Sequence, residues 1–474
     1  VPRVLYRMYF TDEGLFGLTA SISSTFVFMF ILFASFLLKS GGGDFIINLA
    51  QKMTSRIKGG PGLVAVFGSG LMGTISGSAV ANTVSTGSIT IPMMKKAGFD
   101  PDFAGGVETA ASTGGQLMPP IMGAGAFIMA QWTGLPYSTI IAVALLPAVM
   151  YFATVGFFVY QEANRKDVGF LEETNKDSVG KILRDGIHFM VPIGVLVGML
   201  IAGYTPTYSA GFAIIAVVVS SWFSANHKMY LKDVLDALAQ GTRNMVTTGI
   251  MLVAAGLIVG SINLSGISIV FSQVIVDLSG GVLIWALVLI ALASLLLGMG
   301  LPVTAAYIML AVLAAPALQS MGVSLLAAHM IIFWLSQDSN VTPPVCLAAY
   351  AASGIAQASP MKTGVAAWKI AKGLYVMPLL FAYSLLIDGT IMQQLEVFIF
   401  GLMGLYVFSA VFTGYLFRSL HMIERVLLLA VAGLLLWPTL PAHVAGLVLL
   451  AGVYVFQTRF TPPFEIPQPS SASG

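Results

Sequence analysis

The sequence predicts an all-α polytopic membrane protein, an inverted repeat with two re-entrant helical hairpins and two broken helices. Three observations predict it. Apolar residues make up 57% of the 474 residues, charged residues only 9%, and mean hydropathy is +0.90. A soluble protein carries roughly a quarter charged residues. Second, two apolar stretches are interrupted by polar, proline-containing runs, "STGGQLMPPIM" at 112–122 and "SQDSNVTPPVC" at 336–346. Third, each interrupted stretch follows an apolar segment too long for one helix, with Gly, Ser or Pro at its centre.

A spanning helix needs about 20 apolar residues. Candidate spans are 15–38, 103–131, 137–160, 186–204, 207–224, 245–262, 325–357, 370–391, 395–417, 425–441 and 443–457. Those at 103–131 and 325–357 are overlong and contain the polar runs. Residues 43–58 and 229–244 are shorter, charged and amphipathic, the pattern of helices lying along a membrane surface; 267–279, with Asp277 near its end, is a third. Residues 61–94 and 281–319 read as hairpins that enter the membrane, turn at "TISGSA" and "GMGLPV", and leave on the same side.

The distribution of basic residues tests this topology, because they concentrate on the cytoplasmic side. With both segments as hairpins, 20 of the 22 Lys and Arg fall inside, and only Arg3 and Arg7 outside. Counting the first hairpin as a single crossing would export the loop 161–185 with its five basic residues. Counting the second as one would export Lys362, Lys369 and Lys372. The two hairpins therefore enter from opposite sides, and each precedes a broken helix. That is the inverted repeat of secondary transporters. The chain divides into 1–60 (span and surface helix), 61–131 (first hairpin and broken helix) and 132–244 (scaffold helices and cytoplasmic loops). Then come 245–280 (scaffold span and surface helix), 281–357 (second hairpin and broken helix), 358–457 (C-terminal spans) and a disordered tail at 458–474.

Other features exclude function classes. A net charge of +2 argues against nucleic acid as a partner. One cysteine, Cys346, excludes an intrachain disulfide and a cysteine-based metal site. The 24 methionines fit the gap-filling role between helices. No cleavable signal peptide is recognisable, and residue 1 is expected to be a processing or fusion boundary.

Irregular backbone at membrane depth is tolerated only within protein or beside a water-filled cavity, so the breaks should line a site. Pro119 and Pro343 suit the first turn of a new helix, and the residue before each disfavours helix. Each break frees carbonyls, which bind a small cation, and N–H groups, which bind an anion. The hairpin tips offer the same groups. Gly77 permits the first reversal, with Ser76, Ser78 and Asn82 as side-chain ligands. Gly298 and Gly300 permit the second, Pro302 starts its second arm, and Thr304 supplies a hydroxyl. Tips packed on breaks would make two pseudo-symmetric cation sites around a cavity suited to a carboxylate. Taken singly, these glycines also fit ordinary helix packing; the matched order and opposed topology favour the site.

Ionisable residues at depth are few. Asp338 in the second break is a candidate cation ligand or proton carrier. Glu108 is the other proton-coupling candidate, or else a helix-end charge near Lys95 and Lys96. His329 reads as a hydrogen-bonded packing residue. No arginine is expected at the midplane.

The stretches "GSGLMGTISGSAVANTVSTGSITIPMMKKAGFDPDFAGGVETAASTGGQLMPPIMGAGAFIMA", "LLLGMGLPVTAAYIMLAVLAAPAL" and "VTPPVCLAAYAASGIA" resemble the large membrane subunit of TRAP transporters, most closely the TAXI branch, whose permeases often fuse the small and large subunits. The resemblance runs from about residue 10 to 390; the spans after 395 are similar to the additional C-terminal helices of fused TAXI permeases. It implies an ion-transporter-like elevator fold in a bacterial or archaeal cytoplasmic (inner) membrane. It also implies uptake of organic acids from an extracytoplasmic binding protein, commonly driven by sodium. The partners implied are that protein, a small membrane subunit and a small-molecule carboxylate. No cofactor is implied, and the coupling ion is sodium or a proton. The small subunit is not recognisable in 1–14, and is expected as a separate chain or before residue 1.

The family's cation and substrate sites correspond here to Ser76–Asn82, Thr113–Pro119, Gly298–Thr304 and Gln337–Pro343. This adds Thr113, Gly114, Gly115, Met299, Gln337, Ser339, Asn340 and Thr342 to the residues named above. Sodium is expected at Ser78, Asn82, Gly114, Gly300 and Thr342. Rival readings are a passive channel, which the opposed hairpins disfavour, and an intramembrane enzyme. The enzyme lacks a second acid beside Asp338, and its five histidines are scattered. A purely scaffolding subunit leaves the polar breaks unexplained.

Overall fold

The structure, a computed structural model, describes residues 2–11, 14–170, 178–224 and 227–459. The described residues are helical apart from turns and one isolated bridge between Tyr415 and Ser419. Seven of their helices are long and apolar enough to cross a membrane. Most of the expected disordered tail, and Lys176, lie outside the described residues.

Both expected hairpins form. The first pairs Gly60–Ser76 with Ala79–Lys96, the second Leu283–Gly298 with Val303–Ser320. Gly77 (φ +63°) and Gly300 (φ +75°) supply the left-handed turns, a conformation costly for any residue with a Cβ. Both broken helices form as well: Pro101–Gly115 with Gly125–Thr133, and Leu325–Leu335 with Leu347–Ala356. The hairpins are opposed. Ser320 at the base of the second is five residues before Leu325, where the second broken helix begins. Lys95 at the base of the first reaches Ala356 O (2.6 Å), where that same broken helix ends.

Two boundaries differ from the sequence reading. The surface helix expected at 229–244 and the span at 245–262 are one helix, Leu231–Ser265, of 35 residues. No proline interrupts it, and Asp233 accepts from Tyr230 N (3.1 Å) at its start. At 1.5 Å per residue it is roughly 50 Å long, far more than the hydrocarbon core, so its charged first half extends out of the membrane. The span expected at 370–391 runs instead from Pro360 to Tyr383. Pro360 occupies a first-turn position, where its missing N–H costs nothing, and Ser384 (φ −121°, ψ 172°) is extended.

The helices pack in two groups. In the first, Leu18–Lys39 lies along Leu231–Ser265. A Cβ on Gly241 would meet Leu32 at 2.7 Å and one on Gly256 would meet Thr19 at 2.6 Å, so glycine sets this close approach. Lys39 pairs with Asp236 across it (3.1 Å). The antiparallel helices Ile187–Ile201 and Pro206–Ser221 join this group, where Ser220 Oγ donates to His188 O (2.9 Å).

The second group holds the hairpins, the broken helices, Tyr137–Arg165 and Pro360–Tyr383. Gly73 faces Gly115 with room for no Cβ (2.5 Å), and a Cβ on Gly106 would meet Ala366 Cβ at 2.8 Å and Ala367 N at 2.9 Å. Gly125 lies against Phe333, joining the two broken helices. Beneath it, Lys58 pairs with Asp167 (2.6 Å), and that ammonium holds the Asp167 carboxyl below its ordinary range. The C-terminal helices Ile391–Thr413, Met422–Leu436 and Leu440–Arg459 attach to this second group. Buried Gln161 is the bolt: its Oε1 accepts from Ser409 (2.9 Å) and Thr413 (2.8 Å), and its Nε2 donates to Tyr406 O (3.0 Å).

The Gly73–Gly115 contact is testable. Gly73→Ala should cost about 2 kcal/mol, the usual range for overpacking, and lower the thermal midpoint of the solubilised protein. Gly433→Ala, where the structure has open space, should not lower it. Equal midpoints would refute the tight approach.

Candidate functional site

The breaks are shaped by their prolines, though not as the sequence suggested. Pro119 and Pro343 do not begin the second half-helices, which start at Gly125 and Leu347. Each precedes another proline, Pro120 or Pro344, and a residue before proline disfavours helical backbone. Both Pro–Pro bonds are cis.

Most freed carbonyls find donors. The Tyr137 hydroxyl donates to Ile121 O (2.5 Å), with Pro120 O also close (3.0 Å). Ser294 of the second hairpin donates to Leu335 O (2.8 Å), Ser336 to Phe333 O (2.8 Å), and the Tyr350 hydroxyl to Pro344 O.

Both tips and both breaks meet at one cavity of about 440 Å³. The first hairpin contributes Ser76, Gly77 and Ser78, and the second Gly300, Pro302 and Thr304. Gln116 comes from the first break and Asn340 from the second. The far wall belongs to the other packing group, through Phe30, Thr247, Thr248 and Met251. Gln116 links the parts: its Nε2 donates to Gly77 O (2.7 Å) and its Oε1 accepts from Asn340 Nδ2 (3.4 Å).

Glu108 lies deep in the second group, away from the surface, in a cage of hydroxyls. Its Oε1 accepts from Ser69 (2.6 Å), Thr86 (2.5 Å) and Ser112 (2.9 Å), and its Oε2 from Thr90 (2.5 Å). The donors come from both arms of the first hairpin and from the broken helix itself, so one carboxyl ties three helices. Asn82 extends the cage by donating to Ser69 O (2.8 Å) and Ser112 Oγ (3.1 Å).

Asp338 is buried behind the cavity, beside Tyr375 and Lys372, with no partner for its Oδ1. Tyr375 and Thr342 share a hydrogen bond of 2.6 Å. Lys372, expected at the cytoplasmic face, is buried instead, its ammonium 3.0 Å from the centre of the Trp368 ring. Because the helix starts at Pro360, Lys372 lies roughly 18 Å along it.

The structure thus gathers Ser76, Gly77, Ser78, Gly300, Pro302, Thr304 and Asn340 around one space. Asn82, Thr113, Gly114 and Gly115 lie behind it on the first side, where Tyr151 fills the place of a Cβ on Gly114. Gly298, Gln337, Asp338, Ser339 and Thr342 lie behind it on the second, where Gly298 packs on Ser339. Met299 sits at the second turn, just after the first arm. His329 is a packing residue, bonded through Nδ1 to Tyr307 (2.8 Å). Sequence reasoning missed Gln116, Ser69, Thr86, Thr90, Ser112, Tyr375 and the burial of Lys372. One signal was available: Asn82, Thr86 and Thr90 recur every four residues, a polar stripe on one helix face.

An opposed pair of hairpins with broken helices, enclosing one cavity against a second helix group, is the architecture of a secondary transporter subunit. Residues 3–387 match the family described as "Tripartite ATP-independent periplasmic transporter, DctM component", and the chain belongs to that family. It is 25% identical over 354 residues to the C4-dicarboxylate TRAP transporter large permease protein DctM of Rhodobacter capsulatus, covering 72% of this chain and 80% of that one. It is 27% identical over 363 residues to a putative TRAP transporter large permease protein of Haemophilus influenzae (75% and 86% covered). It is 25% identical over 325 residues to the isethionate TRAP transporter permease protein DctMQ of Oleidesulfovibrio alaskensis (66% and 49% covered). The chain is a transporter permease, not an enzyme, and a multi-pass inner-membrane protein. Large permeases of this family work with a periplasmic binding protein and a small subunit.

The Glu108 cage predicts a graded response. Glu108→Leu leaves buried hydroxyls without their acceptor and should destabilise by about 3 kcal/mol. Glu108→Gln, whose amide can still accept and donate, should cost about 1 kcal/mol. Denaturation of the two variants in detergent checks the order, and the same loss in both would refute the cage.

Proposed function

We propose that the chain is the membrane permease component of a binding-protein-dependent uptake system for a small organic anion. Transport is driven by a sodium or proton gradient and runs by an elevator motion. One observation carries the reading: a single cavity is walled by both hairpin tips, both breaks and the opposing helix group. Sliding of the second group against the first would carry that cavity from one side of the membrane to the other. Glycine contacts and buried hydrogen bonds join helices within each group, and the cavity lies between the groups, which also meet through apolar contacts such as Phe30 with Phe127 (4.4 Å between ring centres).

The cation sites are proposed behind the tips, at Ser78, Asn82 and Gly114 on one side and Gly300 and Thr342 on the other. Asn82 Oδ1 and Asp338 Oδ1 are buried without partners there. Assignment to the TAXI branch rests on the resemblance and on C-terminal helices beyond the matched residues 3–387. The relatives named for dicarboxylate and isethionate support an organic acid as cargo.

Uptake into proteoliposomes, with the binding protein supplied, tests the proposal. Accumulation should follow an imposed sodium or pH gradient; accumulation indifferent to both removes the coupled mechanism. Asp338→Asn should abolish pH-driven uptake while binding survives if Asp338 carries the proton. If it ligates sodium, the apparent sodium affinity should fall instead. An unchanged variant makes it a bystander. Wild-type ion dependence in both Ser78→Ala and Thr342→Ala would refute side-chain ligation.

A further inference from the structure

The cavity between the tips has a polarity that can be followed group by group. We infer, resting on the reading that it is the substrate site, that it takes a singly charged organic acid bearing a hydroxyl near the acid group, and disfavours dianions.

The charge comes first. Among the described residues, no Lys, Arg, His, Asp or Glu lines the cavity. Its positive potential comes from the starts of two long helices, Ala79–Lys96 and Val303–Ser320, whose first turns form part of its wall. The backbone N–H groups of Ala79 and Val80 on one side, and of Thr304 and Ala305 on the other, have no acceptor among the described residues. Each helix start carries about half a positive charge. Together the two balance about one negative charge. A second anionic group would face walls such as Phe30, Ile121, Phe127, Met251 and Leu301 with nothing to neutralise it.

The hydroxyl follows from hydrogen-bond direction. Gly77 O can only accept, so the side chain of Gln116 must turn its Nε2 toward it (2.7 Å). That leaves Gln116 Oε1 to accept from Asn340 Nδ2 (3.4 Å). Asn340 is therefore held with its Oδ1 free. The residue is 6% exposed, lines the cavity, and accepts no hydrogen bond at Oδ1 from the described residues. Water can donate to it in the open cavity, and a ligand that displaces that water must bring a donor of its own. A hydroxyl supplies one, and a sodium ion is the other chemistry that an amide oxygen accepts.

Equilibrium binding to the purified full chain tests this with four acids at neutral pH, in sodium and in potassium buffer. Butyrate and 3-hydroxybutyrate are monoanions, succinate and malate dianions. The expected order places 3-hydroxybutyrate about fivefold above butyrate, and each monoanion about tenfold above the dianion of matching hydroxylation. Asn340→Leu should erase the advantage of 3-hydroxybutyrate over butyrate. Thr304→Lys, which adds one positive charge to the wall, should raise malate above 3-hydroxybutyrate. Malate binding as tightly as 3-hydroxybutyrate in the unmodified chain overturns the charge argument. An undiminished hydroxyl advantage in Asn340→Leu, or a change there in sodium requirement alone, overturns the hydroxyl argument. Val80→Trp fills the cavity. If it binds all four acids normally, or if none binds the unmodified chain, the site reading itself fails, whichever acid is preferred.

Discussion

The constraint on which the structure depends is that no peptide group inside a membrane can go without a partner. An unbroken helix meets it automatically, and this chain breaks helices at four places. Each break must be met by other groups, and the polar side chains at depth are largely those that meet it. Tyr137, Ser294, Ser336 and Tyr350 take up carbonyls released by the two broken helices. Among the groups left over are the N–H groups at two helix starts and the side-chain oxygen of Asn340, and these face the same cavity.

The same economy explains the two packing groups. Helices associate in lipid by close contact, since there is little hydrophobic gain in leaving hydrocarbon for protein. Within each group glycines bring backbones together, as at Gly73 with Gly115 and Gly241 with Leu32. Buried hydrogen bonds then fasten the contacts, with Glu108 and Gln161 the clearest cases. Between the groups the cavity wall is mostly aliphatic and aromatic, with the hydroxyls of Thr247 and Thr248. A surface of that kind has few directional bonds to break, which suits it to sliding.

The hairpins, the opposed insertion and the positions of both breaks were legible in the sequence because hydropathy, proline and glycine report them directly. Basic-residue counting predicted that the two hairpins enter from opposite sides. The joining of 229–244 to the following span was not legible. Charge density signals depth, not continuity, and nothing between 231 and 265 stops a helix. The hydroxyl cage of Glu108 was half legible: the stripe of Asn82, Thr86 and Thr90 was present, but Ser69 arrives from the other arm, and only the hairpin brings them together. Lys372 misled because a lysine near a helix end reads as cytoplasmic; Trp368 gives it a buried place that composition does not announce.

The pseudo-symmetry of the two halves is also broken where it bears on coupling. In the first half the acid, Glu108, has four hydroxyl donors on two oxygens, and exchanging any of them would loosen three helices at once. In the second half the acid, Asp338, keeps an oxygen without a partner and has a lysine and a tyrosine as neighbours. A group whose bonds are all structural resists a change of state, because the cost falls on the fold. A group with an open bond can gain a proton or a cation and lose it again while its surroundings stay in place. Under the proposed coupling, this asymmetry makes Asp338 the acid with room to take up and release an ion, and Glu108 the clasp that keeps its hairpin in register.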